Sequence, residues 1–215
     1  LDFSAYGRNP SGAGFGYLEV PTPGSANSGP FFAGEAAKPD FDIPGGFHPA
    51  TLSLNISSAT PGASIRYTTD GSEPTETNGN DYVGTLSLPP IGSRRAHTIR
   101  ARAFATGRVA SRTKSASYLI AQSNNIRQAP ALMITADEGR SVLKPHGVLA
   151  IGGGQYVDQR WLPLDCDDYN MAMQRGRPVE RPAFLEYYFA DTTDGFREDA
   201  GIRIAASNYS RPRMI

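Results

Sequence analysis

The segment LDCDDYN brings four oxygen-bearing side chains together within six residues. They are Asp165, Asp167, Asp168 and Asn170. Carboxylate and amide oxygens are the ligands that Ca²⁺ takes in proteins, so the segment is a candidate Ca²⁺ site. The central glycine and closing glutamate of an EF-hand loop are missing, however. The spacing therefore favours a solvated acidic loop, with Ca²⁺ binding as the alternative.

A lone cysteine and a run of glycines are two further features that could do chemistry. Cys166 lies between Asp165 and Asp167, whose negative charges disfavour the reactive thiolate. The glycines of AIGGGQY, residues 152–154, could turn backbone N–H groups toward an anion, but no Lys-Ser or Lys-Thr follows as in a phosphate-binding loop. We predict a hairpin or bulge there, and neither a catalytic residue nor a cofactor site in the chain.

Aromatic side chains offer another kind of chemistry, stacking against sugar rings. Trp161, Tyr156 and Tyr169 lie in one polar region, and Tyr187 and Tyr188 adjoin in a predicted strand. Successive strand residues face opposite sides, so one of these two tyrosines is expected to point outward. Most aromatic rings pack in cores. A glycan contact at Trp161, Tyr156 and Tyr169 is therefore the alternative to burial.

The composition predicts a β-rich chain with a buried core. The chain has 215 residues, 39% of them hydrophobic, and its 23 Gly and 17 Pro favour short strands and turns over long helices. Its 21 basic and 21 acidic residues balance, so no net field draws nucleic acid, and no apolar run approaches a membrane span. Leu1 opens the chain without a leader, as expected after removal of a signal or in a piece of a longer protein.

Strand patterns recur between Phe47 and Ile120. The segments TLSLNIS, SIRYTT, YVGTLSLPPI, HTIRARAFA and SASYLI alternate apolar and polar residues, and turn residues separate them. This spacing predicts an immunoglobulin-like antiparallel β-sandwich at residues 40–120. Residues 1–39 are expected to form a terminal strand and linker, residues 121–128 a second linker, and residues 129–215 an incomplete β-rich region.

The strand SIRYTT, in which Ile65, Tyr67 and Thr69 share one face, runs into the pair Asp70-Gly71. Asp accepts local backbone hydrogen bonds and Gly tolerates positive φ, so we predict that Asp70 holds a turn. The turn explains Asp70 and Ser72 without an ion, although further oxygen-bearing side chains follow in the same loop: Glu73, Glu76, Asn78, Asn80 and Asp81. In HTIRARAFA, Arg100 and Arg102 are expected to face outward, where they would keep a sheet face soluble and guard an edge.

Three resemblances to known families follow from longer motifs. ATPGASIRYTTDGSEPT, HTIRARAFATGRVAS and ASYLI together resemble the chitobiase/β-hexosaminidase C-terminal-like domain. That family implies an immunoglobulin-like β-sandwich without catalytic residues of its own. Upstream, GRNPSGAGFGYLEVPTPGSAN is similar to the last strand and exit of a bacterial lamin-tail-like domain.

Downstream, the chain resembles the entry region of the CotH-type secreted kinases. The matching segments are Glu180-Arg181-Pro182, Glu186, Ala200-Gly201-Ile202-Arg203-Ile204 and Ser210-Arg211. The sequence departs from the family pattern at Val179, where Trp is common, and at Ala205-Ala206-Ser207, which replaces the usual His-Gly. The nucleotide and metal residues of that family would follow Ile215, so none is transferred.

These observations predict a non-catalytic structural or interaction module of a secreted or cell-surface bacterial protein. Its expected partners are other extracellular proteins or subunits of an assembly, with neither nucleic acid nor a membrane span. Two alternatives stay open: the front part of a CotH-type secreted kinase, and a carbohydrate-binding module.

Overall fold

The structure is a computed structural model that describes residues 5–9, 14–20, 22–92, 94–143, 147–150, 154–158, 160–162, 164 and 180–203. The chain divides into two compact units. The first comprises residues 1–128 with 191–193, and the second comprises residues 129–190 with 194–215. The described residues are mostly β, which confirms the predicted fold class.

The first unit contains the predicted sandwich. Its elements, in chain order, are β1 (Ala5–Arg8), β2 (Phe15–Leu18), β3 (Asp40–Phe41), β4 (Gly46–His48), β5 (Leu52–Leu54), β6 (Ile56–Ser57), β7 (Ser64–Thr68), β8 (Asn80–Asp81), β9 (Leu86–Leu88), β10 (His97–Phe104), β11 (Lys114–Ile120) and the short helix α1 (Asn124–Arg127).

One layer of the sandwich is a five-stranded sheet in the order β4-β11-β10-β7-β8. The pairs β3–β6 and β5–β9 supply the other layer, because their apolar residues pack in the same core as those of the five-stranded sheet. The ladders are antiparallel except at β4 and β11, which run parallel with Gly46 opposite Tyr118 and His48 opposite Ile120.

The core lies between these layers and follows the alternation in the sequence. Ile99, Ala101 and Ala103 of β10 are fully buried, as the pattern predicts. Ile65 and Tyr67 of β7 also pack on the core, but the strand ends at Thr68 and Thr69 is exposed. Thr68 is buried instead, and its hydroxyl donates to the Ser72 carbonyl oxygen at 2.6 Å, which satisfies the buried polar group.

The position of β10 corrects the interpretation of the arginine row. β10 lies between β11 and β7, so Arg100 and Arg102 guard no edge of the sheet. The two side chains do leave the core face, as predicted, but the Arg100 side chain is only 13% exposed because the loop after β7 covers it. This side of the sheet is therefore built partly of internal polar contacts.

The segment before β3 forms a hairpin and then joins the sandwich. β1 and β2 pair antiparallel, with Tyr6 opposite Tyr17. Further along, Ala36 is buried in the sandwich core, and its N–H donates to the Val109 carbonyl oxygen at 2.8 Å. Residues that the sequence pattern separates as a linker thus contribute to the packing of the first unit.

The second unit is β-rich in its described part. Its elements are β12 (Ala131–Thr135), a π-helical turn (Glu138–Val142), β13 (Gln155–Val157), β14 (Arg160–Leu162), β15 (Arg181–Tyr188) and β16 (Gly195–Ile202). β12, β15 and β16 form an antiparallel sheet in that order, while β13 and β14 form a hairpin. The segment ERPAFLEYYFADTTDGFREDAGIRIAAS predicts two or three strands around a turn at Asp194-Gly195. β15 and β16 confirm two strands, but the turn between them lies at residues 190–193 and Gly195 begins β16.

Candidate functional site

The turn after β7 is held by the carboxylate that the sequence singles out. Asp70 Oδ1 accepts hydrogen bonds from the Ser72 backbone N–H at 3.0 Å and from the Ser72 hydroxyl at 2.6 Å. Gly71 between them has a φ of +84°, a left-handed conformation that glycine adopts without strain. The prediction that Asp70 holds this turn is confirmed.

These hydrogen bonds also set the ionisation of Asp70. The Ser72 hydroxyl, and then its backbone N–H, stabilise the carboxylate and hold the pKa of Asp70 below its usual value of 3.8. Because the pKa is lowered on folding, the contribution to stability is present above the unfolded value and is lost as the pH falls through the folded one. Asp70 is thus a charged structural group at neutral pH.

Glu73 and Arg100 anchor the rest of this loop to the sheet. The Arg100 guanidinium forms an ion pair with Glu73 Oε2 and donates to the Gly71 carbonyl oxygen at 2.8 Å. The Thr113 hydroxyl donates to the other oxygen of Glu73. The two charged side chains are only 13% and 12% exposed, so they interact in a medium that screens them less than water does.

Asn78 closes the loop from its far side. Its side-chain amide donates to the Ser72 hydroxyl at 3.0 Å and to the Glu73 carbonyl oxygen at 2.8 Å. The carboxylates of Asp70 and Glu73 are therefore engaged by hydrogen-bond donors of the protein. Among the residues that the structure describes, no group of three or more His, Cys, Asp or Glu side chains could hold a metal ion.

An open cleft of about 720 Å³ lies on the outer face of the same sandwich. Arg66 and Arg102 come from the neighbouring strands β7 and β10, and Asp81 comes from β8. The loop after β7 contributes three further lining residues, Thr75, Glu76 and Thr77. The turn after β10 contributes Thr106 and Arg108, and the segment before β3 contributes Glu19 and Phe32.

The arginines of the cleft are placed by the sheet register. Arg66 and Arg102 are direct cross-strand partners, and Arg66 is in turn opposite Asp81. Arg66 is neutralised locally, because its Nη1 is 3.1 Å from Asp81 Oδ1 and its Nη2 donates to the Gly79 carbonyl oxygen at 2.5 Å. Arg102 has no such carboxylate among the described residues; its Nε donates to the Ser111 carbonyl oxygen at 2.7 Å.

Among the described residues, the aromatic side chains that the sequence proposes for glycan contact do not line this cleft. Trp161 is only 8% exposed; it packs with Ala150 and Tyr156 and donates its indole N–H to the Leu143 carbonyl oxygen. The Tyr156 and Trp161 ring centroids are 5.5 Å apart. Most of the indole is thus engaged in packing, and Tyr156 presents the more accessible ring. Tyr169 lies outside the described residues.

The acidic loop of the sequence analysis also lies outside the described residues. This holds for Asp165, Asp167, Asp168 and Asn170, for Cys166 and for two of the three glycines, 152 and 153. Ca²⁺ binding by these four oxygen-bearing residues stays a prediction. The third glycine, Gly154, directly precedes β13, so a hairpin does begin where the glycines end.

β15 contains a buried polar pair that the sequence does not reveal. Tyr188 and Glu186 are both fully buried, and the Tyr188 hydroxyl donates to Glu186 Oε1. Burial, reinforced by the negative charge of Glu186, raises the pKa of Tyr188 above its usual value of 10.0. Tyr187 lies on the opposite face and stacks on Phe196 with ring centroids 5.4 Å apart. One of the two tyrosines is therefore outward, as predicted.

The sequence does not predict the cleft, although the alternation of residues in two strands indicates which side chains leave the core face. Ser64 and Arg66 in SIRYTT, and Arg102 and Phe104 in HTIRARAFA, occupy the positions that alternate with the core residues. Pairing these strands would place the four side chains on one outer face. The pairing register was the missing information, since it depends on contacts between distant segments.

None of the helices in the described part of the chain has the length and apolar character needed to cross a lipid bilayer.

Comparison with known proteins gives one family match. Residues 43–115 match the family described as the chitobiase/beta-hexosaminidase C-terminal domain, and the matched segment runs from just before β4 to the start of β11. No curated protein matches the chain. The likenesses of residues 1–39 to a lamin-tail-like domain and of residues 129–215 to a CotH-type domain stay predictions. Residues 43–115, about a third of the chain, thus match a module that is a non-catalytic β-sandwich.

Proposed function

We propose that the chain acts as a non-catalytic structural and interaction module of a secreted or cell-surface bacterial protein. The observation that supports this function is that charged residues of the segment SIRYTTDGSEPT form structural contacts within the fold. Asp70 fixes a turn, and Glu73 and Arg100 pair with each other under the loop. Carboxylates engaged in this way stabilise a scaffold and are poorly placed to transfer protons to a substrate.

Localisation of the natural protein tests the extracellular part of this proposal. Intact cells of the source bacterium are treated with a protease that does not enter them, and the chain is followed with an antibody raised against it. We expect the chain in the culture medium, or on the cells in a form that the protease removes. Protection in intact cells together with cleavage after lysis would contradict the proposal.

Replacement of the module tests its structural role. Residues 40–120 of the natural protein are exchanged for an unrelated β-sandwich of similar length. If the module spaces its neighbours, the assembly or surface display of the protein survives the exchange. If it binds a partner, that partner is lost from the purified assembly while the protein still reaches the surface. An enzymatic activity that the natural protein has and the exchanged protein lacks would contradict a non-catalytic role.

The alternative that the chain opens a CotH-type secreted kinase rests on the resemblance of residues 129–215. It proposes that catalysis belongs to residues following Ile215 and that the lamin-tail-like, chitobiase-like and CotH-like segments form one longer protein. Mass measurement of the natural protein distinguishes the two. A product near 23.1 kDa, the mass of the present chain, would rule out the kinase alternative for this protein.

A further inference from the structure

The cleft on the outer face of the first unit has the size of a ligand site. Its volume of about 720 Å³ falls within the range of sites that hold small molecules or a few units of a polymer. It opens between β7, β10 and the loops that follow them, all of which belong to the sandwich. Hydroxyl groups and charged side chains dominate its walls, so an apolar ligand is a poor match.

Two guanidinium groups directly opposite each other repel, which lowers the stability of a sheet to which no anion is bound. Like charges at paired positions of neighbouring strands destabilise the sheet, and Arg66 and Arg102 occupy such positions. Asp81 compensates Arg66. Arg102 is fixed through its Nε on the Ser111 carbonyl oxygen, which leaves both of its terminal nitrogens without a hydrogen bond among the described residues. This site therefore has the donors to bind an anion at Arg102.

Arg108 adds a second cation to the cleft. Its Nη1 donates to the Glu35 carbonyl oxygen at 3.3 Å, and no described carboxylate forms an ion pair with it. Guanidinium groups bind carboxylates and phosphates in a planar, two-bond geometry that ammonium groups do not provide. Because main-chain carbonyls orient both Arg102 and Arg108, little side-chain freedom would be lost when an anion binds.

The other walls limit what kind of anion fits. Glu19 and Glu76 are exposed in the cleft and would repel a densely charged chain of phosphates. The same carboxylates accept hydrogen bonds from hydroxyl groups, as do the hydroxyls of Thr75 and Thr77. Phe104 also lines the cleft, and the Arg102 guanidinium lies over its ring at 5.8 Å from the centroid. The arrangement suits a ligand with many hydroxyls and an isolated carboxylate.

We propose that this cleft binds an acidic saccharide, a sugar chain whose rings carry carboxylates, with Arg102 and Arg108 contacting the carboxylate. The proposal goes beyond the structural role proposed above. A scaffold needs no ligand, so failure of saccharide binding would leave the structural role untouched. The exchange of residues 40–120 removes the cleft together with the sandwich, whereas single substitutions of its arginines leave the sandwich in place, so the two proposals are tested separately.

Calorimetric titration of the full chain with uronic acid oligomers tests the proposal. The probes are oligogalacturonate, oligoglucuronate and oligomannuronate, each compared with its methyl ester of the same length, which lacks the charge but keeps the sugar. We expect at least one acid to bind, and its ester to bind at least tenfold more weakly because charge-assisted hydrogen bonds are lost. Failure of all three acids to bind, or equal binding of acid and ester, overturns the proposal.

Variants then locate the binding. Arg102→Gln and Arg108→Gln should each weaken binding of the acid by tenfold or more, while Arg95→Gln, at an exposed position before β10, should leave it unchanged. Arg108 lies in a turn, so its variant tests the site even if the Arg102 variant fails to fold. Equal weakening by Arg95→Gln indicates unspecific charge attraction and overturns the site. Tighter binding of inorganic pyrophosphate than of the acid overturns the ligand class.

Discussion

Glu73 is the residue that joins the loop after β7 to the five-stranded sheet. Its carboxylate receives the Arg100 guanidinium and the Thr113 hydroxyl, and its backbone carbonyl receives the Asn78 amide. The pair with Arg100 is little exposed, so each charge depends on the other for compensation. The pair thus attaches the loop to the sheet, in addition to the local turn at Asp70.

Substitution of Glu73 by Gln should therefore destabilise the first unit. The variant keeps the size of the side chain but leaves the Arg100 guanidinium without its counter-charge. We expect the free energy of unfolding in urea to fall by about 2 kcal/mol. Glu76→Gln is the matched control, because this exposed residue lies three positions further along the same loop, and it should change the value by less than about 0.5 kcal/mol. Equal effects of the two substitutions would contradict the role of Glu73.

The turn at Asp70 was predictable and the anchor at Glu73 was not. Asp70 and Ser72 are two residues apart, so their hydrogen bonds follow from the local preferences of an Asp-Gly pair. Arg100 lies 27 residues beyond Glu73, and their contact exists only once β10 has taken its place beside β7. Sequence periodicity places Arg100 on the outer face but contains no information on what covers it.

At the scale of elements, the connection from β7 to β8 depends on close backbone approach. Gly79 has a φ of +100°, and a Cβ at this position would lie 2.7 Å from the Tyr67 carbonyl oxygen. The contact is with the backbone of β7, which cannot move aside without breaking the sheet. Gly62 differs, because it has a φ of +69° but no atom within 4 Å of where its Cβ would be.

Substitution of these two glycines by Ala separates conformational strain from steric conflict. Gly62→Ala should cost about 1 kcal/mol, the strain of a left-handed conformation for a residue with a Cβ. Gly79→Ala should cost about 3 kcal/mol, because the clash adds to the same strain. Urea unfolding of both variants measures the difference. A Gly79 variant no less stable than the Gly62 variant would show that β8 can shift away from β7.

The strands of the sandwich were largely predictable because alternation is a local property. β5, β7, β9 and β10 fall inside segments that show the alternation, and β11 begins one residue before SASYLI. The parallel ladder between β4 and β11 was not predicted, since strand order and direction depend on how distant segments meet. The cleft was not predicted for the same reason, because its arginines become neighbours only through the pairing register of β7 and β10.

At the scale of the whole molecule, the balance of charge sets the general behaviour toward polyanions. The 21 basic and 21 acidic residues produce no long-range attraction, although the cleft concentrates arginines locally. Affinity for DNA depends on neutralising many phosphates at once. A chain without a basic surface overall should therefore show little affinity for DNA.

Chromatography on immobilised double-stranded DNA checks this expectation. We expect the chain to elute without retention at low ionic strength, where electrostatic binding is strongest. A basic protein of similar mass serves as the retained control on the same column. Retention that persists to physiological salt would contradict the exclusion of nucleic acid, and retention abolished by Arg102→Gln would identify the cleft as its cause.

The parallel pairing of β4 with β11 has a mechanical consequence for the sandwich. The two strands run in the same direction, from Gly46 beside Tyr118 to His48 beside Ile120. Tension between the chain entering β4 and the chain leaving β11 would pull the strands past each other lengthwise. Their hydrogen bonds would then resist together, in shear, instead of opening one after another as in an unzipped hairpin. A pull applied at these two points would thus load this ladder in shear.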